Sequence, residues 1–397
     1  FACGAEWGLD FLLNIALFVP LGAALQVAKV SWRTALLLSL ALTTTVEMLQ
    51  FTVVSGRVAS TGDLTANTLG GMLGFALSAY LRTIAAPAGR SAALLVGMAG
   101  ILILAILAGT AWAFGPAPTE HPYWGQFAPK LGKLDQFQGS VVRADVDGIP
   151  LRDGRLATTA AVRDRLRRDG VVVRAVVHGG APTELLAPVV SIFDGEHNEI
   201  LLVGQHGTDL VFRMRRRSTQ LGFRTPSVSV WDVFPRMPPG SDTSTIQLTG
   251  TVGGYAIGAV ASEGTETRTR FIHFRPTFGW ALLIPFEHLY TPRAQRFTSI
   301  WLALLFAPLG YYTVAALAGL RGASGRIAVA AWSVAVTMLG IVVLPLLLGL
   351  APGTQAEWRG VALGLGGGAL LAGLLVPLLA AQRAPDSHTA HQRTPKH

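Results

Sequence analysis

The sequence predicts a polytopic α-helical membrane protein of about seven spans, with an extracytoplasmic all-β sandwich inserted between spans four and five. Three observations carry that prediction. Of the 397 residues, 51% are hydrophobic and only 14% are charged, a balance too apolar for an ordinary soluble domain. The apolar residues gather in long runs at both ends of the chain, whereas the middle is polar and alternates like strands. The short loops between the runs are basic at every second turn, as consecutive membrane crossings require.

A spanning helix needs about 20 apolar residues. Leu9–Ala28 qualifies, and so does Arg33–Val54 in spite of Glu47 and Gln50. Leu64–Leu81 is shorter and Gly-rich, and Ser91–Phe114 is uninterrupted. Phe297–Leu320, Ile327–Leu350 and Val361–Ala381 follow the polar middle. Lys29 and Arg33, Arg82 and Arg90, Arg321 and Arg326, and then Arg383, Arg393 and Lys396 follow alternate spans and mark the cytoplasmic side. Trp7, Trp112 and Trp358 fall at outer ends and Trp32 at an inner end, where amphipathic rings settle. The expected organisation is helical over residues 1–114, a β-sandwich plus an interfacial segment over 115–296, helical over 297–381, and a disordered basic cytoplasmic tail over 382–397. The net charge of +9 therefore reports topology first. No nucleic-acid-binding motif accompanies it, and membrane lipids are the expected partners. The single cysteine, Cys3, excludes an intrachain disulfide.

The stretch Thr45–Gly71 sets charged residues in or beside apolar sequence. Glu47 and Gln50 are three apart and share a helix face. Thr43, Thr44 and Thr45 add hydroxyls about one turn below. A carboxylate in a bilayer costs several kcal/mol unless it is paired, protonated or hydrated, and the nearest cation is Arg57. Asp63 stands just before an apolar helical run, so it is either an N-cap or a functional carboxylate. Asn67, four residues on, is either an interhelical hydrogen-bonding residue or part of the same site. Gly70 and Gly74 form a small-xxx-small pair that Gly71 supports, and Gly360, Gly364 and Gly368 repeat the device in the last span. The candidate binding site holds Asp10, Asn14, Glu47, Gln50, Arg57, Asp63 and Asn67, gathered at the outer ends of the first three spans. Glu47 and Asp63 are its only candidates for acid–base chemistry, and a structural ion pair is the alternative for Glu47.

These residues follow the order and spacing of a known family. Asn14 to Gly22 reads N-x-x-x-F-x-P-L-G, Glu47 and Gln50 read E-x-x-Q, Arg57 and Asp63 form an R…D turn, and Asn67 to Gly74 reads N-T-x-G-x-x-x-G. Asp10 to Leu81 thus resembles VanZ-like membrane proteins. The resemblance implies a bacterial plasma-membrane protein with a polar site at the outer boundary, near cell-wall precursors. It also implies an association with teicoplanin-type glycopeptide resistance. Proteins of this family usually carry a further span ahead of the first motif, so an earlier helix is expected before Phe1. No reaction is assigned to the family as a class.

The middle region breaks into short alternating runs, among them "VVVRAVVH", "NEILLVGQ", "DLVFRMR" and "STIQLTG", the pattern of an antiparallel sandwich. "TTAAVRDRLRRDG" predicts a short helix stopped by Gly170, and "DGEHN" a hairpin loop. The string from Val189 to Arg215 resembles the central hairpins of laminin-G or concanavalin-A-like jelly rolls. That likeness, over about residues 120–278, implies binding of carbohydrate or an envelope polymer, sometimes through calcium. Asp194, Glu196 and Asn198 are the oxygen donors such a calcium site would use, and a plain polar turn is the alternative. Arg213 and Arg215 project from one side of a strand in the densest basic run. They form either a solvated face or a contact to polyanions or lipid headgroups. No His cluster with ligand spacing and no hydrolase signature accompanies them. Trp280 and Tyr290 mark "FGWALLIPFEHLY" as an element that could lie in the interface.

The leading expectation is a non-catalytic envelope protein. The sandwich binds a glycan, while the outer-end site engages a lipid-linked or cell-wall component. The alternative is a membrane enzyme in which Glu47 and Asp63 act as acid and base on a lipid-linked substrate.

Overall fold

The computed structural model describes residues 7–53, 60–168, 170–224, 227–234, 245–253, 256–284 and 292–381. Cys3, Arg57, Tyr290 and the tail 382–397 lie outside them. In chain order the helices are α1 (Trp7–Val27), α2 (Trp32–Val53), α3 (Thr61–Ala79), α4 (Leu81–Ala85), α5 (Gly89–Ala113), α6 (Thr159–Leu166), α7 (Arg217–Gln220), α8 (Pro292–Gly319), α9 (Ala323–Met338), α10 (Leu344–Leu347) and α11 (Gln355–Ala381). The chain divides into two compact units. One comprises residues 1–106, 295–343 and 352–397, and the other 107–294 and 344–351.

Among the described residues, six helical stretches are long and apolar enough to cross a membrane: Trp7–Val27, Trp32–Val53, Gly89–Ala113, Arg293–Gly319, Ala323–Leu347 and Gln355–Leu379. The chain is therefore a helical membrane protein with a β domain inserted between its helices. The expected third span corresponds to α3, which is a helix but is not one of the six. Its Asp63, Asn67, threonines and glycines dilute its apolar content. The stretch from Ala323 to Leu347 is helical throughout, with a π-helical segment at Leu339–Val343 linking α9 to α10. Trp7, Trp32, Trp112 and Trp358 all stand exposed at or near helix ends.

In the first unit α1 and α3 meet backbone to backbone. A Cβ built on Gly70 would lie 2.2 Å from the Ile15 carbonyl oxygen, one on Gly74 1.9 Å from that of Val19, and one on Gly22 1.7 Å from that of Gly71. No other residue fits such a seam, because small residues are what let helix backbones approach. The same construction joins α11 to α8. Gly360, Gly364 and Gly368 face the carbonyls of Ser299, Ala303 and Ala307 at 2.6, 2.6 and 2.0 Å. The residues between the seam positions, such as Leu69 and Leu73, are exposed as a lipid-facing surface would be. At the start of α11, Thr354 and Glu357 form a reciprocal capping pair: Glu357 Oε2 accepts from Thr354 N at 2.6 Å, and Thr354 Oγ1 accepts from Glu357 N at 3.3 Å.

The second unit is a β-sandwich of two six-stranded sheets. The first contains β1 (Tyr123–Phe127), β4 (Gly154–Arg155), β6 (Thr183–Asp194), β7 (Glu199–Gly207), β8 (Asp209–Met214) and β9 (Ser227–Val230), in the order β4-β1-β6-β7-β8-β9. The second contains β2 (Ser140–Val146), β3 (Ile149–Pro150), β5 (Val171–His178), β10 (Thr245–Gly253), β11 (Ala256–Glu263) and β12 (Glu266–His273), in the order β12-β11-β10-β5-β2-β3. The strand pairings are antiparallel. β5 shows why these runs become strands: Val171, Val173, Ala175 and Val177 are buried, while the residues between them are not. The sheets face each other closely at Gly250, where a Cβ would come within 2.5 Å of the Phe212 ring. α6 ends before Gly170, whose φ of +75° turns the chain into β5. The segment Pro276–Leu282 is a 3₁₀ helix with Trp280, Ala281 and Leu282 buried, so Trp280 is a core residue of its unit and not an exposed anchor.

Candidate functional site

The site is built at the first turn of α3. Ser60 caps that helix, its side-chain oxygen accepting from Gly62 N at 3.1 Å and from Asp63 N at 3.4 Å. Asp63 is therefore the third helical residue and not the cap. The helix starts three residues earlier than the apolar run suggests, with Ser60 as its cap. In an ordinary capping box the third residue's carboxylate returns to the cap's own N–H. Here Asp63 turns instead to α1, where Asn14 Nδ2 donates to its Oδ1 at 2.8 Å. The Ser60 N–H is taken by α2: it donates to Glu47 Oε2 at 3.0 Å. One residue from each of three helices thus closes the start of α3, and the negative charge of Asp63 lies at the end of the helix dipole that favours it.

Below Glu47 the buried face of α2 is polar. Its buried residues are Ala35, Ser39, Thr43 and Glu47, spaced four apart. Asn67 Nδ2 donates to Thr43 Oγ1 at 2.8 Å, with both side chains buried. Thr44 and Thr45 face outward and bond their own helix carbonyls at Leu40 and Ala41. Of the residues expected to form the site, Asn14, Glu47 and Asp63 meet at one turn, and Asn67 lies one turn inward. Asp10 is exposed and Gln50 half-buried; among the described residues neither is hydrogen-bonded to the others. Arg57 lies outside the described residues. Sequence reasoning missed Ser60 and Ser39, and did not separate Thr43 from its two neighbours. The i, i+4, i+8 spacing of Ser39, Thr43 and Glu47 was the available signal.

In the sandwich, the basic run is held by internal partners. Arg213 grips Glu199 with a bidentate pair, Nε to Oε1 at 2.6 Å and Nη2 to Oε2 at 2.7 Å. Arg215 is half-buried; desolvation lowers its pKa, while Asp194, Glu199 and Tyr123 act in the opposite sense. Arg216 is fully buried, donates to the Phe114 carbonyl and lies over the Phe274 ring at 4.3 Å. Phe114 and Phe274 stack on each other at 5.2 Å. Arg217 covers Trp112 at 5.2 Å. Of the two arginines expected to meet polyanions or headgroups, Arg213 is thus paired with Glu199, and Arg215 is half-buried.

The "DGEHN" hairpin is equally self-contained. Asp194 Oδ1 accepts from Glu196 N at 2.9 Å and Asn198 N at 2.8 Å, and its Oδ2 accepts from Asn198 Nδ2 at 3.0 Å. Burial raises the Asp194 pKa, but the hydrogen bonds from Asn198, Thr119 and Glu196 outweigh it and hold the carboxyl below its ordinary value. Glu196 points to His121 at 3.3 Å. Of the three calcium candidates, Asp194 thus accepts from the turn and from Asn198, while the Glu196 carboxylate faces His121. Among the described residues, no group of three or more His, Cys, Asp or Glu side chains is placed to hold a metal ion.

Residues 3–82 match the VanZ/LLP1 family. The match spans α1 to α3, the helices that build the site, and accounts for the VanZ-like part of the chain. No curated protein and no solved structure gives a significant match.

Proposed function

We propose that this is a bacterial plasma-membrane protein of VanZ-like type whose outer-end site engages a lipid-linked or cell-wall component. In this reading the sandwich lies outside the membrane and the C-terminus is cytoplasmic, as the basic loops favour. One observation carries the proposal. Asn14, Glu47 and Asp63, from three different helices, converge on a single helix start through bonds of 2.8 and 3.0 Å: Asn14 donates to the Asp63 carboxylate, and the Ser60 N–H to that of Glu47. Intramembrane ionisable residues that converge in this way are expensive and mark functional sites by default. The sandwich would present glycan or envelope polymer to this site as a lectin-like domain of laminin-G or concanavalin-A-like type. Its two antiparallel sheets support that part, and binding of the full chain on a panel of envelope glycans tests it.

Glu47→Gln and Asp63→Asn test the site. Both keep an acceptor for the bond each carboxylate makes, so the protein should accumulate normally. Susceptibility of the host to teicoplanin-type glycopeptides should then change to that of cells lacking the protein. Normal accumulation with unchanged susceptibility refutes the proposal, and loss of accumulation assigns the two carboxylates to folding. A second reading has specific support in the same geometry. The Glu47 and Asp63 carboxyls both take part in bonds at the first turn of α3, and a pair of carboxyls is what acid–base chemistry on a lipid-linked substrate uses.

A further inference from the structure

The polar stripe on α2 continues inward past Glu47 and ends on unsatisfied atoms. Asn67 is 4% exposed and Ser39 and Thr43 are 0% exposed. Asn67 donates one amide hydrogen to Thr43, but its Oδ1 has no hydrogen-bond partner among the described residues, and neither does Ser39 Oγ. An orphaned buried acceptor or hydroxyl costs about 1–3 kcal/mol, and the apolar surroundings of a helix bundle offer no bulk water to relieve it.

The two orphans are neighbours by construction. Ser39 is four residues from Thr43 on α2, and Gly71 four residues from Asn67 on α3. Asn67 meets Thr43, and Gly71 meets Ser39: a Cβ on Gly71 would lie 2.4 Å from Ser39 Oγ. The two contacts are therefore one helical turn apart, about 5–6 Å. A single oxygen bonded at about 2.8 Å to each side spans that distance.

We propose that a hydroxyl group binds between Ser39 and Asn67, donating to Asn67 Oδ1 and accepting from Ser39 Oγ. A hydroxyl is the neutral group that both donates and accepts. A carboxylate or phosphate has nothing to donate to Asn67 Oδ1, and a hard cation requires more oxygens than these two supply. The hydroxyl belongs either to water or to an alcohol-bearing lipid. The site extends the outer-end site inward and rests on the same helices. Its test reads stability and occupancy in place of drug susceptibility, so the two proposals fail separately.

The full chain is placed in lipid nanodiscs and the thermal midpoints of wild type, Ser39→Ala, Asn67→Leu and the double variant are compared. Ser39→Ala should lower the midpoint in the wild-type background and be neutral or stabilising in the Asn67→Leu background, because one hydroxyl serves both residues. A midpoint unchanged or raised by Ser39→Ala alone, or shifts that simply add, overturns the proposal. If Asn67→Leu does not accumulate, Thr43→Val takes its place, since it frees the Asn67 amide and disturbs the same group. Native mass spectrometry of the same samples identifies the source. An alcohol-bearing lipid retained by wild type and shed by Ser39→Ala assigns the hydroxyl to lipid. Coupling without a retained lipid assigns it to water.

Discussion

Substituting Gly74 by Ala adds one methyl group to the α1–α3 seam. The new Cβ would stand 1.9 Å from the Val19 carbonyl oxygen, which is backbone and cannot rotate away. Reaching even 3.0 Å requires the two helices to part by about 1 Å, and a gap of that size forfeits roughly a quarter to a half of the dispersion attraction along the contact. Overpacking of this kind destabilises by about 1–3 kcal/mol. Gly97 in α5 supplies the control, since a Cβ there meets nothing within 4 Å. Gly97→Ala should stabilise by up to about 1 kcal/mol through helix propensity alone. The same chemical change thus has opposite signs at two positions. Thermal unfolding of the purified full chain in one detergent, followed by helical circular dichroism, measures both. Gly70→Ala extends the test to function: it presses on Ile15, the residue after Asn14, and should stretch the 2.8 Å bond to Asp63. A Gly74→Ala protein as stable as Gly97→Ala would refute the backbone seam and, with it, the reason α3 is held where the site forms.

Two further predictions concern the sandwich. Arg216→Met keeps bulk but removes the donor to Phe114 and the cation over Phe274; it should cost about 2–4 kcal/mol, and a denaturation midpoint within error of wild type contradicts the buried role. Asp194 has its carboxyl pKa held below the unfolded value of 3.8. Its contribution is therefore fully present above that pH and disappears as pH falls through the lower folded value. Asp194→Asn should be less stable than wild type near neutrality and approach it below pH 3.8 in acid unfolding curves; a gap independent of pH would show that the charge plays no part.

What could be foreseen follows from the range of the forces involved. Long apolar runs and strict alternation are local, so α1, α2, α5 and β5 emerge close to where "VVVRAVVH" and its counterparts place them. The glycine spacings announced close packing but not the partner: nothing in the spacing of Gly70 and Gly74 names Ile15 and Val19. The Asn14–Asp63 bond joins residues 49 apart in sequence, and only the folded bundle shows that Asp63 turns away from its own helix. The arginines 213 to 217 look alike in sequence yet face Glu199, Phe274 and Trp112 by turns. The fates of such residues depend on strands and helices far along the chain. Trp280 was misjudged for the same reason, since an amphipathic ring in an apolar stretch suits an interface and a core equally well.

The cross-helix closure of α3 also bears on how the protein is made. α3 is the one long helix of this module that is not apolar enough by composition to count as a membrane span. Its start leaves a backbone N–H and a carboxylate that, among the described residues, Glu47 and Asn14 satisfy. Both partners are synthesised earlier, on helices that are themselves apolar enough to insert. The geometry predicts that α3 enters the bilayer as a client of the first hairpin and not on its own hydrophobicity. A defect in Asn14 or Glu47 would consequently be felt first as a misinserted segment, with every later loop at risk of facing the wrong side.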